Sequence, residues 1–336
     1  MNEITNKPSS HRETAKNVLR AIVRHENAVL LLVLLGMIGG LAGLTGGTFV
    51  KPANAVNVIL QSAERGIAAV GQTFVILTAG IDVSVGGVAL MSLILGALLM
   101  TGTTAVPVGP IAVILLFGIA VGSFNGSLVS RLGIQALIVT LGVWEASHGA
   151  AFLMSGGETI WDLPEFISFI GQGRIAGIPI PVIIFIVIAV VGYFVLQHTT
   201  YGRSIYAVGG NSVSAWLSGI RVKNILFSVY VISGFLAALA GLIIMGRVGC
   251  ASTVTAGGLE LDSIAATVVG GVSLMGGRGN IIGVVIGTII ISVIRNGMNI
   301  VGLHPAFHSI VKGVVIIIAV VIDYLRRRDF GVQARK

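Results

Sequence analysis

Stretches such as LLVLLGMIGGLAGL (residues 31–44) and PVIIFIVIAVVGYFVL (residues 181–196) contain no charged side chain, and nothing else in the chain constrains its fold so strongly. An element at a water-facing surface turns one polar face outward, and these runs have none to turn. Only 10% of the 336 residues are charged and 55% are hydrophobic, whereas a soluble domain carries roughly a quarter charged residues. The matching solvent is lipid, in which only helices and closed barrels satisfy every backbone group. Barrel strands would show alternation in segments of about ten residues. Continuous apolar runs select helices, so the sequence predicts an all-α polytopic membrane protein.

Ten runs are expected to cross the bilayer: 28–48, 58–79, 83–100, 108–130, 133–155, 179–197, 225–247, 261–275, 280–300 and 309–325. Glu64 and Arg65 interrupt the second and are expected near an interface. With the N-terminus in the cytoplasm, the inner segments are 1–27, 80–82, Arg131, 198–224, 276–279 and 326–336. They hold fifteen of the 21 Lys and Arg residues, while the outer segments hold Lys51, Arg65 and Arg174. That asymmetry follows the positive-inside rule, and an even number of spans keeps both termini cytoplasmic. The predicted organisation is a cytoplasmic tail over 1–27, a transmembrane domain over 28–325 with a cytoplasmic segment at 198–224, and a basic tail over 326–336. The net charge of +8 then reads as an orientation signal, with no nucleic-acid partner expected. The first run is too long for a cleavable signal peptide and lacks a small-residue cleavage site.

No Walker A loop, zinc-ligand spacing or nucleophile elbow occurs, so no cofactor or metal site is expected in this chain. Cys250 is the sole cysteine and reads as a packing residue. Many of the 47 glycines fall inside the runs, among them Gly36, Gly39, Gly40, Gly43, Gly234, Gly241, Gly283 and Gly287. Such small residues let helix backbones approach closely.

The segment GIDVSVGG, residues 80–87, places one carboxylate among glycines. Gly80 and the pair Gly86-Gly87 permit a sharp reversal, and Asp82 is positioned to cap a helix starting near Val83 by accepting from the amide of Ser84 or Val85. The spacing recurs as Gly270 followed by Gly276-Gly277, and both turns are expected on the cytoplasmic side.

Polar residues inside spans are the default functional candidates. Glu145 and His148 lie three apart on one helical face beside Trp144. They either line a pathway, with Trp144 offering a flat surface to a sugar ring, or form an internal pair. Gln72, Asn125, Asn296 and Asn299 either hydrogen-bond between helices or line a cavity. Arg295 is expected to snorkel toward the cytoplasm, and His304 and His308 to be solvated in an outer loop.

The longest internal polar segment is HTTYGRSIYAVGGNSVSAWLSGIRVKN, residues 198–224. Gly209-Gly210 is expected to break the chain, Asn211 to cap a short helix over 212–218, and Gly219 to end it. Val213, Trp216 and Leu217 share helical spacing. Such a helix is either a rigid peg for a partner protein or an interfacial helix lying on the headgroups.

The segment YGRSIYAVGGNSVSAWLSGIRV resembles the YGR-x-IYA-x-GGN-x-x-AA-x-LSGI segment of permeases from bacterial ABC sugar importers of the ribose-permease type. In the same order, GQTFVILTAGIDVSVGG, IVTLGVW, ELDSIAATVVGGVSLMGGRGN, NGMNIVG and VKGVVIIIAVVID resemble further motifs of that family, spanning about residues 50–325. The acidic residue that commonly follows the Asn is absent here. The resemblance implies a multi-pass protein of the bacterial cytoplasmic (inner) membrane that works as one of two permease copies. Its partners would be ATPase subunits, which use ATP and Mg, and a periplasmic sugar-binding protein. It also implies that Gly209, Gly210, Asn211, Ser214, Ala215, Trp216, Leu217, Ser218, Gly219 and Ile220 engage the ATPase. The expected cargo is a monosaccharide or similar polyol, with nucleosides or branched-chain amino acids as alternatives. An ion-coupled secondary transporter or channel is the reading of a different class; against it, the sequence suggests only Asp82 and Glu145 as carboxylates at membrane depth.

Overall fold

A computed structural model describes residues 26–102, 106–304 and 306–333. The expectations for the N-terminal tail and for residues 334–336 lie outside the described residues. Each of the ten apolar runs falls on a helix. In chain order the elements are α1 (Glu26–Leu44), a 3-10 turn (Thr48–Val50), α2 (Pro52–Leu77), α3 (Ser84–Met100), α4 (Val108–Arg131), α5 (Ala136–Ser155) and α6 (Glu165–Gln172). A two-stranded hairpin follows, β1 (Arg174–Ile175) with β2 (Ile178–Pro179). Then come α7 (Ile180–His198), α8 (Thr200–Gly210), α9 (Ser212–Leu217), α10 (Val222–Val248), α11 (Leu259–Val269), α12 (Ile281–Val301) and α13 (Ala306–Gln333).

Seven of these, α1, α4, α5, α7, α10, α12 and α13, are long and apolar enough to cross a membrane. The other three sit at the centre. From Ser62 to Leu77, α2 is buried without interruption; α3 is buried along most of its 17 residues, and α11 is 11 residues long and buried except at Leu261 and Val269. A helix enclosed by protein need not match the bilayer thickness or avoid charge, because its neighbours rather than lipid meet its side chains. That is why the centre tolerates a short helix and a charged one. Glu64 and Arg65, expected near an interface, are both buried within the bundle.

Small residues bring the central helices together. Gly118, Gly122 and Gly126 recur every fourth residue on α4 and face the α10 backbone. A methyl on Gly118 would strike the Gly234 carbonyl, and one on Gly122 the Tyr230 carbonyl. Gly241 meets α3 at Ala89 in the same way, and Gly287 meets α11 at Ala266. The packing reading fails for α1: a methyl added at Gly36, Gly39, Gly40 or Gly43 would meet no neighbouring atom within 4 Å.

The two classes of glycine predict opposite outcomes. Gly122→Val forces a branched side chain into a backbone contact and should destabilise the protein by at least about 2 kcal/mol, the order of core overpacking. Gly40→Ala meets open space and removes a helix-weakening glycine, so it should be neutral or slightly stabilising. Thermal unfolding of both variants in detergent checks this, and equal losses would contradict the seam.

Candidate functional site

At one end of the bundle, the turn after α2, the turn before α12 and the last turn of α8 meet through their backbones. The Gly277 amide donates to the Leu77 carbonyl at 2.9 Å. Gly209 leaves no room for a side chain against Leu77 and Gly277, and Gly276 none against Ala79 and Gly209. The left-handed backbone at Gly276 and Gly277 (φ 78° and 72°) suits only glycine. Tyr206 of α8 adds a side-chain tie, donating to the Gly279 carbonyl at 2.8 Å. Burial pushes its hydroxyl up from the ordinary value, against an opposing hydrogen bond from Gln197, so it remains a donor.

From this junction α9 projects. Gly209-Gly210 does not break the chain as expected, because both close the last turn of α8; the break comes at extended Asn211 (φ −162°). The Asn211 side chain then accepts from the Ser214 amide at 2.9 Å, as a helix cap does. At the other end the Ile220 amide reaches the Ala215 carbonyl, and the Gly219 amide that of Trp216, with Gly219 at φ 84°. These two bonds form a Schellman termination around the left-handed glycine. Ser218 also donates its hydroxyl to the Ser214 carbonyl. Both ends of a six-residue helix are therefore locked. Ala215 faces inward, while Val213, Trp216 and Leu217 are 65%, 66% and 73% exposed.

The turn before α3 is a second organised centre. Asp82 is buried and accepts from the Ser84 amide at 3.0 Å, from the Ser84 hydroxyl, and from Ser233 of α10 at 2.7 Å. The expected capping bond to Ser84 is present, although Val83 stands at the cap position. Gln72, with its amide oriented to match, brackets the Asp82 backbone at 3.0 and 3.1 Å. Asn125 donates to Ser84 at 2.8 Å, and the Val83 amide donates to Thr140 of α5. Gln72 and Asn125 thus brace this turn between helices. Asn296 accepts from Asn54 at 2.9 Å and serves the same bracing purpose near α1. Of the four amides, Asn299 alone is exposed.

The Gly86-Gly87 pair belongs to the first turn of α3 and does not form a reversal. It permits close approach: a methyl on Gly86 would strike the Glu260 carboxylate, and one on Gly87 the Trp144 carbonyl. Gly270 is the residue that ends α11 and packs on Gly283. The two glycine patterns are therefore not equivalent in structure; only the 77–80 and 276–279 turns meet.

Glu145 and His148 do not pair among the described residues. His148 instead stacks on Trp144, ring centroids 4.7 Å apart and tilted 47°. Glu145 lies on the exposed face of α5.

A charged centre lies where the sequence reading places none. Asp262 holds Arg65 at 3.1 Å, Arg295 at 3.1 Å and Lys312 at 2.6 Å. Glu64 meets Arg247 through both oxygens, at 2.6 and 3.1 Å, and approaches Arg65 at 4.0 Å. Arg295 is turned into this network, contrary to the expected snorkelling, and the Nε2 of His308 is buried, contrary to the expected solvation. Besides Asp82, the carboxylates of Glu64, Glu260 and Asp262 are buried. The sequence does carry one signal of this centre: Arg247, Arg295 and Lys312 stand inside apolar runs, and each demands an opposite charge. Among the described residues, no three His, Cys, Asp or Glu side chains gather to hold a metal ion.

Asp262→Asn leaves three cations without their shared negative charge, and breaking a buried pair costs about 3–5 kcal/mol. It should abolish folded protein or lower the melting temperature sharply, while Glu145→Gln on the open face leaves melting unchanged. Thermal unfolding of the two variants side by side checks this contrast.

With this geometry in view, comparison with known proteins becomes specific. The family model described as branched-chain amino acid transport system / permease component matches residues 54–320. The ribose import permease protein RbsC of Haemophilus influenzae is 36% identical over 308 residues, covering 90% of this chain and 94% of that protein. The fructose import permease protein FrcC of Rhizobium meliloti is 36% identical over 313 residues, covering 90% and 86%. The D-allose transport system permease protein AlsC of Escherichia coli is 35% identical over 298 residues, covering 88% and 90%. No solved structure matches the chain. Its seven long apolar helices and these matches make it a multi-pass inner-membrane protein. The chain belongs to the permease components of the branched-chain amino acid transport family, among the sugar-import permeases of ABC systems.

Proposed function

We propose that this chain is the membrane-spanning subunit of an ATP-driven importer for a monosaccharide or similar polyol. A periplasmic binding protein delivers the cargo, and a partner ATPase binds ATP and Mg and carries out hydrolysis. The observation that carries the reading is α9: a helix locked at both ends whose three large apolar side chains are exposed beside a backbone junction. An interfacial helix would need no such rigid seat. A peg that receives force from a partner does.

Movement of α9 acts on α8, and α8 bears on Leu77–Ala79 and Gly276–Gly277 through backbone contacts that leave little slack. The 77–80 turn leads directly into the Asp82 turn, which is hydrogen-bonded to α2, α4, α5 and α10. ATP-driven closure below thus biases the arrangement of the central helices between outward and inward states. The exposed α5 face bearing Glu145 turns toward a second permease copy and the path between the copies. The cargo class rests on the ribose, fructose and allose named for the relatives. All ten apolar runs cross the membrane in this reading, the short α11 with the chain that continues it to residue 275, and both termini are cytoplasmic.

Trp216→Ala and Gly219→Val test the peg. The first removes an anchor of at least about 2 kcal/mol at an interface centre; the second strains a left-handed position by about 1–2 kcal/mol. Both variants should insert normally, lose the co-purifying ATPase and lose sugar uptake. Wild-type uptake with the ATPase retained in both would remove α9 as the coupling element. For the orientation, reporter fusions at Gly157 and Gly302 should read outside, and at Gly210 and Gln333 inside. A periplasmic signal at Gln333 would contradict the even count of crossings.

A further inference from the structure

The network around Asp262 carries more positive charge than negative. Arg65, Arg247, Arg295 and Lys312 stand against Glu64 and Asp262. If Glu260, buried against Gly86, is counted as ionised, one cation is still left over. Charge without a counter-charge is costly inside a protein.

The surplus faces a cavity. A pocket of about 290 Å³ lies between α11, α12 and α13, with Gly258, Asp262, Arg295, Met298, His308 and Lys312 on its walls. The Arg295 side chain is 36% exposed, against 7% for Arg65, so it is far more open to a ligand. Its guanidinium has five N–H donors, and Nη1 makes the bond to Asp262. Lys312 reaches Asp262 and, at 3.3 Å, the Gly258 carbonyl. The Nε2 of His308 has no hydrogen-bond partner among the described residues. Arg295 and Lys312 are the cations on its wall, and the one carboxylate there is already shared among three cations. A sugar hydroxyl needs acceptors as well as donors, whereas an oxyanion with several oxygens needs donors alone.

The location indicates the source. Arg295 lies about 22 Å along α12 from its Asn280 cap, far from the junction that seats α9. The pocket is walled on one side by α13, whose Phe307, Ile310, Val314 and Ile317 are exposed. A peripheral apolar helix beside a cationic cavity sets a surface for acyl chains next to a seat for a charged headgroup.

We infer that this pocket seats a phosphate-class oxyanion, supplied by the headgroup of an anionic phospholipid and held by Arg295 and Lys312 with His308 as a further donor. The bound headgroup neutralises the surplus charge and ties α13 to the central helices. The test uses the full chain in detergent, stripped of lipid, with melting temperature followed during separate titrations. The additions are phosphatidylglycerol, phosphatidylcholine, and sodium phosphate against sodium chloride at equal ionic strength; native mass spectrometry reads retained phospholipid before stripping. Wild type should retain phospholipid and show a saturable rise with phosphatidylglycerol that exceeds the rise with phosphatidylcholine. Arg295→Gln should weaken the apparent affinity about tenfold, the scale of a lost charge-assisted bond. Met298→Trp fills the cavity while leaving every charge in place, and should abolish retention. A rise with sodium phosphate but not with either lipid would leave the oxyanion site standing and overturn the lipid source. An identical response of wild type and Met298→Trp to all additions would overturn the site itself, whether or not Arg295→Gln folds.

Discussion

Asp262 accepts from Arg65 of α2, Arg295 of α12 and Lys312 of α13 with a single buried carboxylate. The interior of this protein is organised around that arrangement. Three cations so close repel one another, and a shared anion between them turns the repulsion into a tie joining four helices. The tie also explains why α11 is short. Its first turn must reach the cations, and its last turn must reach Gly283 and Gly287 of α12, where only glycine lets the backbones meet. Such a network fixes which helices are neighbours more than it adds to net stability, since desolvation offsets much of the attraction.

At the opposite end the ties are made by the backbone. Leu77, Gly209 and Gly277 touch without side chains between them, and Tyr206 clamps Gly279. Side-chain packing can absorb a displacement through rotamer changes, whereas backbone contact passes it on. The stiff end and the charged end are joined by α2, which starts near the Asn54–Asn296 bond, passes Glu64 and Arg65, and finishes at Leu77. A helix enclosed along half its length has little freedom to bend independently, so it suits transmission between the two ends.

Much of this architecture is legible in the amino-acid sequence alone. The apolar runs place every long helix, because the need to satisfy backbone groups in lipid acts on each segment separately. Asn211 and Gly219 bound α9 for a similar reason: caps are bonds between residues three to five apart. The Asp82–Ser84 bond is readable on the same grounds. The readings that fail are those that need knowledge of distant partners. Glu145 and His148 share a helical face by spacing, yet packing leaves one open and turns the other onto Trp144. Gln72 reads first as a bond between helices and second as a cavity-lining residue, and the Asp82 backbone lying against it shows which partner it holds.

The sequence by itself determined the solvent, the helices, the caps and, through its motifs, the family. Each of these depends on composition or on residues a few positions apart. The tertiary structure decided the pairing of Arg65 with Asp262, 197 residues away, and the meeting of the 77–80 and 276–279 turns with the end of α8. Those outcomes depend on how each helix is rotated about its axis. That rotation is set jointly by close-packed glycine seams and by ion pairs between distant helices such as Arg65 with Asp262 and Arg247 with Glu64, which no single segment can satisfy alone.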